Sequence, residues 1–176
     1  MSDSAAQPES GAPSAPRPDI VLVDGRSGSG KSELARAMVG QKPELQLVRM
    51  DDLYPGWGGL DAGSRHVHDF VIAAAVRRWQ RWDWADNAPA EWHMLDQSRP
   101  ILIEGCGALT RANRALAAYA VWVEEEESTR RQRVRERDGD SWAERWDEWA
   151  EQEDEFIARE NPRELASTVI SGSEIF

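Results

Sequence analysis

An α/β fold with helices on both faces of a parallel sheet is predicted by three observations. Short apolar runs rich in β-branched residues recur along the 176-residue chain, the pattern of strands buried on both faces. Segments of helical composition separate them, the alternation that builds parallel sheets. Polar residues with chemical character gather where those runs end, and that edge is where such sheets bind ligands.

Residues 1–18 hold four of the nine prolines, and Ser, Ala and Gly fill most of the rest. Such a segment buries too little apolar surface to offset its ordering entropy, so it is predicted to be a disordered tail ahead of one domain, 19–176. Ile20-Val21-Leu22-Val23 is the first strand, and after a glycine-rich turn Ser32–Val39 is the first helix. Leu45–Met50 is a second strand ending in Asp51-Asp52. Ser64–Trp82 reads as a helix, with Val67, Phe70, Val71, Ala74 and Ala75 on one stripe. Ile101-Leu102-Ile103 is a third strand, opened by Pro100 and closed by Glu104-Gly105. Arg111–Ala118 is a short helix, Tyr119–Val123 a fourth strand, Glu125–Arg137 and Trp142–Arg159 charged helices, and Ala166–Ile170 a fifth strand.

The formal charge of −11 argues against broad electrostatic binding to nucleic acid or anionic lipid. Most of it is local: residues 124–160 carry 15 acidic against 7 basic residues. No apolar run approaches a membrane span, and the first 18 residues lack the basic start and apolar stretch of a signal peptide. Cys106 is the only cysteine, so no internal disulfide framework exists. A cytoplasmic protein with a small-molecule ligand is expected; the oligomeric state is not readable.

Gly25-Arg26-Ser27-Gly28-Ser29-Gly30-Lys31-Ser32 matches G-x-x-x-x-G-K-[ST] between a buried strand and a helix. Its glycines let backbone N–H groups converge on phosphate oxygens at the positive end of the helix. Lys31 would meet the β- and γ-phosphates of ATP, and the Ser32 hydroxyl would ligate Mg²⁺. Glu104, closing the third strand, is a candidate second Mg²⁺ ligand. No Asn-Lys-x-Asp occurs, which argues against a guanine-reading GTPase.

With Arg49-Met50-Asp51-Asp52-Leu53-Tyr54, Ile101–Gly105 and the arginine-rich Arg130–Asp138, the chain resembles the uridine kinase branch of the P-loop nucleoside and nucleotide kinases. Asp51-Asp52-Leu53-Tyr54 matches that family's Asp-x-Phe-Tyr at Asp51 and Tyr54, with Leu53 in place of Phe. The resemblance implies a three-layer P-loop NTPase fold, a five-stranded parallel sheet in order 2-3-1-4-5, and an arginine-rich lid over about 128–140. It also implies ATP- and Mg²⁺-dependent phosphorylation of a nucleoside hydroxyl. Shikimate- and gluconate-type acceptors, and a nucleotide-binding regulatory module without catalysis, are the rival readings.

Transfer to an alcohol benefits from a carboxylate that takes its proton. Asp51 is the candidate base and Asp52 a candidate Mg²⁺-linked partner, with the reverse assignment open; the pair also suits a helix cap. Arg133 and Arg137 share a face at i, i+4 and are the candidate lid arginines, against the plain reading of a salt-bridged helix. In Tyr54-Pro55-Gly56-Trp57-Gly58-Gly59-Leu60-Asp61, Tyr54 and Trp57 are candidates to stack on a flat substrate, and the resemblance offers Asp61 for sugar hydroxyls. His93 is a further candidate for the acceptor pocket. Trp142, Trp146 and Trp149 recur at i, i+4, i+7, as in a helix burying an aromatic face, with partner docking as the alternative.

Overall fold

The computed structural model describes residues 17–139, 142 and 144–175. The expected tail therefore lies outside the described residues but for its last two positions, and Asp140 of the expected lid lies outside them as well. Five strands form one sheet: β1 (Arg17–Gly25), β2 (Gln46–Arg49), β5 (Ile101–Glu104), β6 (Ala117–Glu124) and β7 (Thr168–Ser171). Their order is β2-β5-β1-β6-β7, and every pairing is parallel, with Ile20 beside Ile101 and Val121 beside Thr168.

Alternation along these strands feeds two cores. Ile20, Leu22, Ile101, Ile103 and Ala120 enter one, against α2 (Leu60–His66), α3 (Arg111–Leu116) and α5 (Trp146–Glu160). Val23, Leu102, Val121 and Val123 enter the other, against Ala35 and partly buried Leu34 and Met38 of α1 (Lys31–Gln41). Both faces of the sheet are thus covered, which explains why its strands read as unbroken apolar runs. The remaining helices are α4 (Glu127–Asp138) and the short α6 (Pro162–Leu165). Among the described residues no helix is long and apolar enough to cross a membrane.

The expected helix Ser64–Trp82 is the main correction. Helical structure starts earlier, at Leu60, winds as a π-helix over Val67–Ile72, and stops. The chain then forms an antiparallel hairpin of β3 (Arg78–Asp83) and β4 (Ala88–Met94). The apolar stripe through Val71 was helical, but beyond it aromatic and long polar residues prefer cross-strand partners. Arg81 pairs with Glu91 across the hairpin at 2.7 Å and Trp79 stacks on His93 at 4.1 Å. Asp83 Oδ1 accepts the Ala85 and Asp86 N–H groups, fixing the turn.

Asp24, at the carboxyl end of β1, carries a structural duty the sequence did not flag. It is 1% exposed, and its carboxylate accepts the N–H groups of Gly25 at 2.6 Å, Gly107 at 3.2 Å and Leu109 at 2.8 Å. Burial pushes its pKa up to about 7, against those bonds and nearby Lys31. The folded state then holds this proton more tightly than the unfolded chain does, so stability falls as pH rises from about 4 through 7. Between about pH 5 and 7, urea unfolding of the native chain is expected to show this loss. Asp24→Asn is expected to lose the pH-dependent component. It should also cost ~1–3 kcal/mol, because an amide NH₂ replaces one acceptor facing backbone donors.

Candidate active site

The phosphate loop runs from the end of β1 into α1. Gly28 has φ +79°, and a Cβ there would lie 2.4 Å from the Arg130 carbonyl oxygen. Only glycine lets α4 sit this close to the loop. Gly172, after β7, is equally confined, since its Cβ would meet the Ser29 carbonyl oxygen at 2.0 Å. The first N–H groups of α1 have no intrahelical partner and face the loop's hollow.

Lys31 is buried and donates to the Arg26 carbonyl at 3.2 Å. Burial works against its charge, but the surrounding acidic groups, Glu104, Asp51 and Glu153 among them, more than offset this and raise its pKa. The Ser32 hydroxyl lies 3.2 Å from both oxygens of Glu104. Glu104 is 2% exposed, and burial raises its pKa against the pull of Lys31 and Arg49. A hydroxyl beside a buried carboxylate, both hard oxygen donors, is a donor set that fits Mg²⁺. The glycine-shaped hollow and a buried lysine likewise fit a nucleotide's phosphates.

Arg49 joins this pair to Asp51: its Nε lies 3.3 Å from Glu104 Oε1 and its Nη2 3.3 Å from Asp51 Oδ2. Asp51 Oδ1 takes no hydrogen bond among the described residues. Asp51, in a 3₁₀ turn over Met50–Asp52, is exposed on the wall of a cavity of about 760 Å³. That cavity runs from Lys31, Ser32 and Glu104 to an aromatic end of Tyr54, Trp57, Trp84 and Trp142. Trp57 lies between Trp84 and Trp142, with ring centres 5.3 and 5.6 Å away. Trp84 comes from the hairpin turn and donates its indole N–H to the Asp51 carbonyl at 3.0 Å. A second cavity, of about 650 Å³, lies on the other side of the loop between Gly30, Arg133, Arg137 and Ser173. Gly28, Lys31, Ser32 and Arg137 border both.

The structure gathers Lys31, Ser32, Asp51, Tyr54, Trp57, Glu104 and Arg137 on one cavity, but not every candidate. The Arg26 side chain turns away to α5, pairing with Glu153 at 2.9 Å and Asp154 at 2.7 Å. Asp61 pairs with Arg159 at 2.6 Å beside a separate depression. His93 stacks on Trp79 and bonds Glu91 rather than lining the cavity. Asp52 is half-buried outside that lining, and burial raises its pKa. Tyr54 is 2% exposed with its hydroxyl committed to the Cys106 carbonyl at 2.7 Å, so it forms a wall and offers no free donor.

The arginine-rich segment is a packed helix here rather than a detached flap. Arg130 and Val134 are buried, and Arg130 donates to the Ser27 carbonyl at 3.2 Å. Arg133 donates to the Gly28 carbonyl at 3.3 Å and pairs with Glu125 at 3.1 Å. Trp146 and Trp149 are 4% and 5% exposed, so the tryptophan face of α5 is turned into the protein. Helix α5 begins at Trp146, and Trp142, where the sequence expects the helix to start, is helical as well. Arg49, Trp84, Ser173 and Glu153 were missed by sequence reasoning. Arg49 stands beside the Asp51 motif, but nothing in the sequence places a hairpin tryptophan or the end of β7 at the loop.

No family model and no curated protein matches the sequence. Among solved structures, the chain overlays a possible uridine kinase from Bacillus stearothermophilus over 90% of each chain, with a TM-score of 0.61 and 19% identity. A gluconokinase from Sinorhizobium meliloti overlaps 69% of this chain and 66% of its own, with a TM-score of 0.38 and 20% identity. The first overlay establishes the fold.

Proposed function

We propose, from the premise of a P-loop kinase fold, that this protein transfers the γ-phosphoryl group of ATP to a hydroxyl of a small molecule, with a nucleoside as the leading acceptor. What supports this reading most is the meeting of two cavities at Lys31, Ser32 and Arg137, room for a donor on one side and an acceptor on the other. MgATP bound at the loop supplies an electrophilic phosphorus and, in ADP, a leaving group. Ser32 and Glu104 would hold the metal ion. Lys31 and Arg137 offer fixed positive charge where negative charge builds up in the transition state. Asp51 Oδ1 would take the proton of the acceptor hydroxyl while Oδ2 is oriented by Arg49. Trp57 offers an aromatic face to a flat ring at the far end of the cavity.

A screen of ATP consumption across nucleosides, sugars and hydroxy acids tests the acceptor class. A nucleoside stimulating turnover above the rest is the expected result. Stimulation confined to a hydroxy acid would move the acceptor to the shikimate or gluconate type. Binding of MgATP with no stimulation by any acceptor would favour a regulatory module.

A further inference from the structure

One turn of α5 touches both sides of the site. Glu153 is 3% exposed, yet its carboxylate lies at the phosphate loop: Oε1 accepts the Ser27 N–H at 2.7 Å and Oε2 pairs with Arg26 at 2.9 Å. The Cys106 thiol, whose sulfur also lies 3.3 Å from the Gly25 carbonyl, donates to Oε1 at 3.3 Å. Beside it, Gln152 donates to the Trp57 carbonyl at 2.7 Å and accepts the Leu60 N–H at 3.3 Å. Trp149 meets the Tyr54 ring edge-on at 4.8 Å. So residues 149–153 grip the phosphate loop with one side chain and the acceptor loop, 54–60, with two others.

A buried carboxylate is costly unless its oxygens are filled, and here they are filled by the loop that would bind phosphate. A helix turn is stiff, so a displacement of Ser27 must pull on Glu153 or break its bond, and Glu153 cannot move without Gln152 and Trp149. We propose that Glu153 is a positioning residue that carries nucleotide occupancy from the phosphate loop to the acceptor loop. This rests on the nucleotide reading above but not on any acceptor or turnover. Physically it is a coupling between two binding surfaces through one rigid element, of the size typical for linked sites.

The test is hydrogen exchange over residues 54–60 in the full chain, with and without Mg²⁺ and the non-hydrolysable β,γ-imido analogue of ATP. In the native protein the analogue is expected to slow exchange there about fivefold or more, the lower end of typical couplings. Glu153→Ala should still bind the analogue but lose this protection. Glu153→Gln, which keeps an oxygen for the Ser27 N–H, should retain most of it, and Glu151→Gln on the exposed side of the helix should retain all of it. Gln152→Ala should uncouple the acceptor loop from the other end, and it serves should Glu153→Ala fail to fold. Bound analogue with unchanged exchange at 54–60 in the native chain would overturn the coupling alone. Full protection in Glu153→Ala, or loss in Glu153→Gln equal to that in Glu153→Ala, would overturn the role of the Ser27 bond. Failure of the native protein to bind the analogue would overturn the nucleotide reading, and the coupling with it.

Discussion

Lys31→Ala is expected to cut phosphoryl transfer by about 10²–10³-fold or more, the cost of removing one preorganised charge from a water-poor site. Lys31 is 8% exposed, and three carboxylates, Glu104, Asp51 and Glu153, are held around its charge. The fold should survive, because the only hydrogen bond of Nζ among the described residues goes to the Arg26 carbonyl. Circular dichroism and turnover on the same preparation separate the two effects. Near-native turnover with an intact fold would remove the phosphate loop from the chemistry.

Asp51→Asn is the second large effect, a fall in turnover of ~10²–10⁴-fold, the usual contribution of a general base. The amide keeps the shape and the Arg49 contact but cannot take a proton. MgATP affinity should change little, since Ser32 and Glu104 are untouched. Asp52→Asn should be mild, because Asp52 lies outside the cavity lining while Asp51 borders it. If MgATP affinity fell with turnover in Asp51→Asn, Asp51 would instead be a metal ligand. Comparing affinity and turnover for both variants decides the assignment that the sequence left open.

How much of this was legible in the sequence differs by kind of residue. The central strands β1 and β5 announce themselves because both sheet faces are covered there, so Ile20–Val23 and Ile101–Ile103 need no polar positions. The phosphate loop is equally legible, since its glycines and lysine are set by local backbone geometry. Over residues 73–82 the sequence reads as helix because a helical stripe ends without punctuation: no Gly or Pro separates Ile72 from Arg78. What then decides for strand is the cross-strand pairing of Arg81 with Glu91, a relation invisible to local periodicity. Arg26 lies within the phosphate-loop motif, Asp61 is a candidate through the family resemblance, and His93 stands near no motif. Side-chain direction was settled by partners remote in the chain, Glu153, Arg159 and Trp79. Glu153 itself sat in an acidic stretch indistinguishable from a solvated helix face; only the packing of α5 against the loop singles it out. Asp24 was hidden in the same way, by three backbone donors that the chain brings from residues 25, 107 and 109.

The most direct test of the kinase reading follows the fate of the phosphorus. The protein is incubated with Mg²⁺, ATP labelled in its γ-phosphate and a pool of nucleosides, and the labelled products are separated. The cavity that joins Asp51 to Lys31 predicts label in a phosphate ester of an acceptor hydroxyl, dependent on Mg²⁺ and absent in Lys31→Ala. Label that stays in ATP, or appears only as inorganic phosphate whatever nucleoside, sugar or hydroxy acid is supplied, would contradict it.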